Sequence, residues 1–208
     1  MTTPATPATA PAAAPMTYEQ FLDCVDEDTR AEFVEGRIVV SSPVSRDHQR
    51  IGRFLVKCVS EFVEVRGLGE VFYESFQMKT GPDLPGREPD LLFVATEHLA
   101  RVRRNFLDGP GDLVVEIISP ESFARDRGDK FREYEQGGVR EYWLVDPQRR
   151  RAEFHQRGDD GFYVPVPHDP GGVYHSAVLA GLWMRVDWLW QDSPPRLLDV
   201  LGELELGR

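Results

Sequence analysis

With two cysteines in 208 residues, Cys24 and Cys58, the chain is too poor in thiols for a disulfide framework or a self-contained structural zinc site. Each reads as a buried structural residue. Long apolar runs are missing too: no stretch approaches the roughly 18 uncharged residues of a membrane-spanning helix. Positive charge is scarce, with 24 Lys and Arg against 35 Asp and Glu, for a net charge of −11. A protein that lives on nonspecific phosphate contacts is usually basic, so this balance counts against a histone-like or strand-coating role. It does not exclude local contact with nucleic acid. The amino terminus lacks both the basic start and the Leu-rich stretch of a secretory signal, and a cytoplasmic protein is expected. No internal repeat is visible.

What is present suffices for a core. Hydrophobic residues make up 41%, with twelve Phe, six Tyr and four Trp, which excludes global disorder. Residues 2–15 contain only Thr, Pro and Ala and read as a disordered tail, which leaves 16–208 as a single domain. Charge is unevenly placed. Residues 16–36 hold seven acids and one Arg, whereas residues 148–157 hold four Arg and one Glu. Arg101, Arg103 and Arg104 form a second basic cluster.

The pattern predicts a short helix over Tyr18–Cys24 capped by Thr17, then a strand over Arg37–Ser42 opened by Gly36. Ser45 or Asp47 caps a long helix to about Arg66, where Ile51, Leu55, Cys58, Val59, Phe62 and Val63 form a stripe of helical period. Strands follow at about Glu70–Glu74, Phe76–Thr80, Pro89–Val94 and Asp112–Ser119. The last is apolar on both faces, as in a central strand covered on each side. Asp126 or a neighbour caps the next helix, which Gly137 and Gly138 stop. Glu141–Val145 is a further strand, and Arg151–Gln156 with Phe162–Val166 reads as a hairpin. A short acidic helix after Ser193-Pro-Pro-Arg196 closes the chain. The order describes a mixed α/β sheet wrapped by helices, with a β-rich C-terminal extension.

Three residues do not suit a core. Glu116 sits amid the most apolar strand, where a lone carboxylate would cost several kcal/mol or take up a proton. A buried Arg or Tyr partner is one answer. Asp90 opens the strand before it and shares a face with Leu92 and Val94. Alone it reads equally as an acid bonded to a turn. If the two strands are neighbours, the carboxylates converge, and a hard divalent cation with oxygen ligands would compensate them. Lys130 falls on or beside the aromatic face of its helix with Phe131 and Tyr134, so its ammonium either snorkels outward or points into a site behind the strand.

Glu88-Pro89-Asp90-Leu91, then Val115-Glu116-Ile117-Ile118-Ser119-Pro120, then Asp126, Lys130, Tyr134 and Gly138-Val139-Arg140-Glu141-Tyr142-Trp143-Leu144-Val145-Asp146-Pro147 resemble a large bacterial endonuclease family. That family belongs to the restriction-endonuclease-like superfamily with the PD-(D/E)xK nuclease core. The similarity runs from about Thr17 to Trp190 and takes in Glu35-Gly36-Arg37, Ser42-Pro43 and His48. It implies a metal-dependent endonuclease in which Asp90 and Glu116 hold Mg²⁺ or Mn²⁺ and a metal-activated water hydrolyses DNA phosphodiester bonds. Ile117 would lend a backbone carbonyl to the metal, and Glu35 would be an additional acid from the N-terminal region; by itself Glu35 reads equally as an acid at the turn before Gly36. In the superfamily pattern the lysine lies two residues after the second acid. Ile118 stands there in this chain, so Lys130 inherits the role of positioning or helping to deprotonate the water.

Ser119 and Ser122 read as turn residues with no histidine base to activate them. His48, near a helix start, either faces the cleft or is a surface or packing histidine, and His98, His155, His168 and His175 show no ligand spacing. Arg101, Arg103, Arg104 and Arg125 either touch phosphate or form a solvated face. The resemblance leaves room for a homodimer, because cutting both strands calls for two sites. The alternative is a nuclease fold kept as a binding or regulatory module without turnover.

Overall fold

The structure, a computed structural model, describes residues 16–25, 31–40 and 44–206, so the tail expected at 1–15 and the Ser42-Pro43 pair lie outside the described residues. Helix α1 (Tyr18–Cys24) opens on a capping box: the Thr17 hydroxyl accepts the Gln20 N–H, and the Gln20 side chain accepts the Thr17 N–H. Strands β1 (Ala31–Val34) and β2 (Arg37–Val40) pair across Glu35-Gly36. Helix α2 (Arg46–Arg66) starts at Ser45, whose hydroxyl accepts the His48 N–H, and ends at Gly67 with φ 63°. That left-handed cap favours glycine and satisfies the last carbonyls of the helix.

Five strands follow: β3 (Gly69–Tyr73), β4 (Gln77–Lys79), β5 (Gly86–Arg87), β6 (Leu91–Ala95) and β7 (Phe106–Asp108). Next come β8 (Leu113–Ile117), α3 (Phe123–Arg127), α4 (Asp129–Gly137), β9 (Glu141–Asp146), β10 (Arg151–Arg157) and β11 (Tyr163–Pro165). The chain closes with β12 (Val173–His175), β13 (Trp183–Arg185) and α5 (Leu197–Glu203).

The main sheet runs β11-β10-β9-β8-β6-β3, parallel only between β8 and β9. A parallel pair needs a crossover, and α3 with α4 supplies it. Side chains alternate along β8. Leu113, Val115 and Ile117 pack under the α2 stripe, while Val114 and Ile118 face Tyr134 of α4. Met78 of β4 and Leu107 of β7 join that second face from a smaller sheet, ordered β2-β1-β5-β4-β7. The central strand is therefore covered by a helix on one side and by a helix with a second sheet on the other. The fold is a mixed α/β sheet flanked by helices, with a β-rich C-terminal part.

Two local expectations are corrected. Cys24 is exposed, because it sits on the outer side of the short α1, and only Cys58 is buried. Asp126 does not cap a single long helix. The helix is broken at Gly128, where a Cβ would stand 2.8 Å from the Ala124 carbonyl oxygen, and Asp126 lies in the last turn of α3. Asp126 and Lys130, four residues apart on either side of the break, are both buried.

Candidate active site

In the β6–β8 ladder Leu91 lies opposite Val115 and Leu92 opposite Val114, so one further step sets Asp90 across from Glu116. The Asp90 carboxylate accepts the Ile117 N–H at 2.7 Å and meets His48 Nε2 at 3.3 Å. Burial alone would raise its pKa. The bond and charge of His48, the Ile117 N–H and the Lys130 charge outweigh that, and Asp90 is held below the usual carboxylate range.

Glu116 is 3% exposed and directs Oε1 at α4, where Lys130 Nζ at 2.9 Å and the Tyr134 hydroxyl at 2.7 Å both donate to it. Its Oε2 has no protein donor among the described residues, and the side chain lines a cavity of about 480 Å³. Burial pushes the Glu116 carboxyl up to about 8; Lys130 opposes this, and the nearby Asp126, Asp90 and Glu32 charges reinforce it.

Lys130 is equally enclosed. Its ammonium meets Glu32 at 3.0 Å and Asp126 at 3.5 Å as well as Glu116. Burial would lower its pKa, but these carboxylates raise it well above the ordinary lysine value. The group stays protonated near neutrality, a buried cation that donates to Glu116. Glu32 in turn accepts from Arg87 Nη1 at 3.1 Å, and Arg87 grips Glu133 at 2.7 and 2.8 Å. Burial opposes ionisation of Glu32, yet Lys130, Arg87 and Arg125 bring its carboxyl down to about 2.

Asp90, Glu116, Ile117 and Lys130 thus line one cavity. Glu35 does not. It occupies the tip of the β1–β2 hairpin with φ 49°, followed by Gly36 at 74°, two positive values as in a type I′ turn. A two-residue turn leaves its first residue in solvent, and the acid that enters the site is Glu32, three residues earlier on β1. The signal was present: Glu-Gly between Ala31–Val34 and Arg37–Val40 reads as a hairpin. Of the two readings of His48, the structure bears out the cleft: it is buried against Asp90 and lines the cavity. Helical period would have placed it one turn before the Ile51 and Leu55 stripe. Arg125 lines the cavity, whereas Arg101 and Arg103 bond near β7, to Pro110 and to Ala100 and Asp108. Ser119 and Ser122 exchange backbone N–H to hydroxyl bonds at 3.0 and 3.1 Å in the turn after β8, as turn residues do.

The donor set suits a hard divalent cation: carboxylate oxygens in negative excess, one of them without a donor. Among the described residues no three acidic, histidine or cysteine side chains converge into a closed ligand set. A cation that keeps several waters, such as Mg²⁺, needs only one or two carboxylates.

This architecture has a solved counterpart. The crystal structure of a putative nuclease belonging to DUF820 from Anabaena variabilis ATCC 29413 superimposes with a TM-score of 0.69, covering 85% of this chain and 98% of that one at 17% identity. At that identity the likeness speaks for the fold. No curated protein matches the chain. The Uma2 family, described as putative restriction endonuclease, matches residues 17–187, from the cap of α1 through every strand and the cavity. Spanning most of the sequence, that match makes this chain a member of the Uma2 family of putative restriction endonucleases.

Proposed function

We propose that this protein is a metal-dependent endonuclease that hydrolyses DNA phosphodiester bonds, with its catalytic centre at Asp90, Glu116 and Lys130. One observation carries the reading: two carboxylates from adjacent strands meet at an open cavity, with a buried lysine bonded to the second of them. Asp90 and Glu116, with the Ile117 carbonyl, would hold Mg²⁺ or Mn²⁺. Such an ion, when bound, polarises a phosphate and makes water more acidic. The chain's own groups do the rest. His48 and the Ile117 N–H fix the Asp90 carboxylate in its ionised form. Tyr134 and Lys130 hold one Glu116 oxygen and turn the other to the cavity. Lys130 and Arg125 supply positive charge where a phosphate group gathers negative charge during in-line displacement.

The test begins with Mn²⁺ titration by calorimetry on the wild type, Asp90→Ala and Glu116→Ala. Saturable binding in the wild type, lost in both variants, is the expected outcome, followed by metal-dependent cutting of duplex DNA by the wild type alone. No binding with or without DNA present, by three folded proteins, would overturn the reading in favour of a nuclease fold without turnover.

A further inference from the structure

Of the arginines that the sequence offers for phosphate contact, Arg125 lines the cavity and Arg101, Arg103 and Arg104 do not; a further basic surface lies on α2. On the outer side of α2, Arg46, Arg50, Arg53 and Lys57 recur at intervals of four, three and four. At 100° per residue they share an arc of about 60°, and at 1.5 Å per residue they extend about 16 Å along the axis. Arg46, Arg53 and Lys57 are exposed, and none has a hydrogen-bond or ion-pair partner among the described residues. Arg50 is half-buried and anchored: its guanidinium donates to the Leu189 carbonyl at 3.2 Å, to the Gln191 carbonyl and to Asp47 at 3.3 Å. The stripe is confined to the end of α2 next to the cavity. Its continuation on the same face is Glu64.

Arg46, Gln49, Arg50 and Arg53 line an open concavity of about 490 Å³, closed on the far side by the Asp192–Pro194 turn. Ser45, Asp47 and His48, from the same first turn of α2, line the acid cavity. The two hollows therefore share one helix end; Asp192 is the acid that lines the basic one, and Asp47, which lines the acid cavity, accepts from Arg50 between them.

We propose that the Arg46–Lys57 stripe is the track on which a DNA duplex lays its phosphates as one strand enters the cavity; this rests on the nuclease reading above. A rigid row of cations carries no base information, and arginine's planar fork suits phosphate oxygens, so the contact positions the backbone and leaves sequence choice elsewhere. It also answers the charge problem: a chain of net −11 can hold a polyanion if a row of exposed cations, here Arg46, Arg53 and Lys57, stands beside the reacting groups.

The experiment measures binding of a labelled DNA duplex by fluorescence anisotropy across a salt series, with Ca²⁺ as the only divalent cation. The full chain is compared with Arg46→Gln/Arg53→Gln/Lys57→Gln, and both are titrated with Mn²⁺. The expected result is a log affinity against log salt slope shallower by about 3 in the triple variant, about one for each phosphate that the variant no longer neutralises. Its Mn²⁺ binding and melting should match the wild type, and Arg101→Gln/Arg103→Gln/Arg104→Gln should keep the wild-type slope. An unchanged slope in the stripe variant would overturn the proposal while leaving the metal site standing. So would a wild type that binds Mn²⁺ but no DNA, or sedimentation showing that the stripe substitutions break a dimer and leave DNA binding as it was. A wild type that binds no Mn²⁺, with or without DNA present, would instead strike the nuclease reading itself.

Discussion

Lys130 carries one positive charge against Glu116, Glu32 and Asp126, all within 3.5 Å of its ammonium. Burial pushes both carboxyls up; for Glu32 the charges of Lys130, Arg87 and Arg125 outweigh it, whereas for Glu116 burial, reinforced by the Asp126, Asp90 and Glu32 charges, outweighs Lys130 and the carboxyl rises from 4.5 to about 8. A carboxyl raised in the folded state binds protons that the unfolded chain releases. Its contribution is complete below about 4.5 and is lost as pH rises through about 8. Metal-free protein should therefore melt at progressively lower temperature across that window. Glu116→Gln should flatten the decline, and saturating Mn²⁺ should flatten it in the wild type by favouring the ionised form. Melting curves at a series of pH values, with and without Mn²⁺, check both; a wild-type profile as flat as that of Glu116→Gln would refute the assignment of the strain to this carboxyl. Asp90, Glu116 and Lys130 were legible because each violates the pattern of its own element. Glu32 was not, since an acid on a short N-terminal strand violates nothing until Lys130 and Arg87 are brought to it.

Elements positioned these residues by rules that differ in how visible they are. α2 was readable end to end, with Ser45 and Gly67 as its caps and an apolar stripe between them. The break at Gly128 was not, because the clash that requires glycine there is with the Ala124 carbonyl of the preceding turn. β9 adds a buried acid of a different kind. Glu141 is fully buried at the start of the strand and accepts five hydrogen bonds: from Trp143 Nε1 at 2.6 Å, Tyr174 at 2.8 Å, and Ser176, Ala177 and Val178, each at 2.9 Å. It ties the β12 segment to the sheet, so its role is structural. Glu141→Ala would leave those donors buried without an acceptor and should lower unfolding free energy by at least about 3 kcal/mol. Denaturant titration measures this, and Glu141→Gln, which keeps one acceptor oxygen, should lose less.

Across the whole molecule the two faces of the main sheet divide the work. The face that carries Glu116 looks towards α4 and the small sheet, which deliver Lys130 and Glu32. The opposite face, under α2, is closed by the C-terminal elements, where Val200 of α5 and Leu204 at its C-cap pack with Phe54, Leu55 and Cys58. Val200→Ala with Leu204→Ala should cost about 3–5 kcal/mol of stability as the side chains on this face lose their cover. Mn²⁺ affinity of the folded protein should hardly change, because the sheet stands between α5 and Glu116. Thermal melts and calorimetry on the same double variant separate the two quantities.

The family resemblance, the mixed α/β order, the central strand and the trio of Asp90, Glu116 and Lys130 were determined by the sequence itself. Periodicity, caps and misplaced charges are local, and a chain reports local features directly. The exchange of Glu35 for Glu32, the recruitment of His48, the smaller sheet built from β1, β5 and β7, and the cation row beside the cavity were decided only by the tertiary structure. Each depends on which groups, far apart in the chain, come within a few ångströms. Strands of two to four residues bury too little on their own to leave a periodic trace. A cation on a helix surface becomes a candidate for binding phosphate only when the neighbouring hollow and the absence of a partner are known.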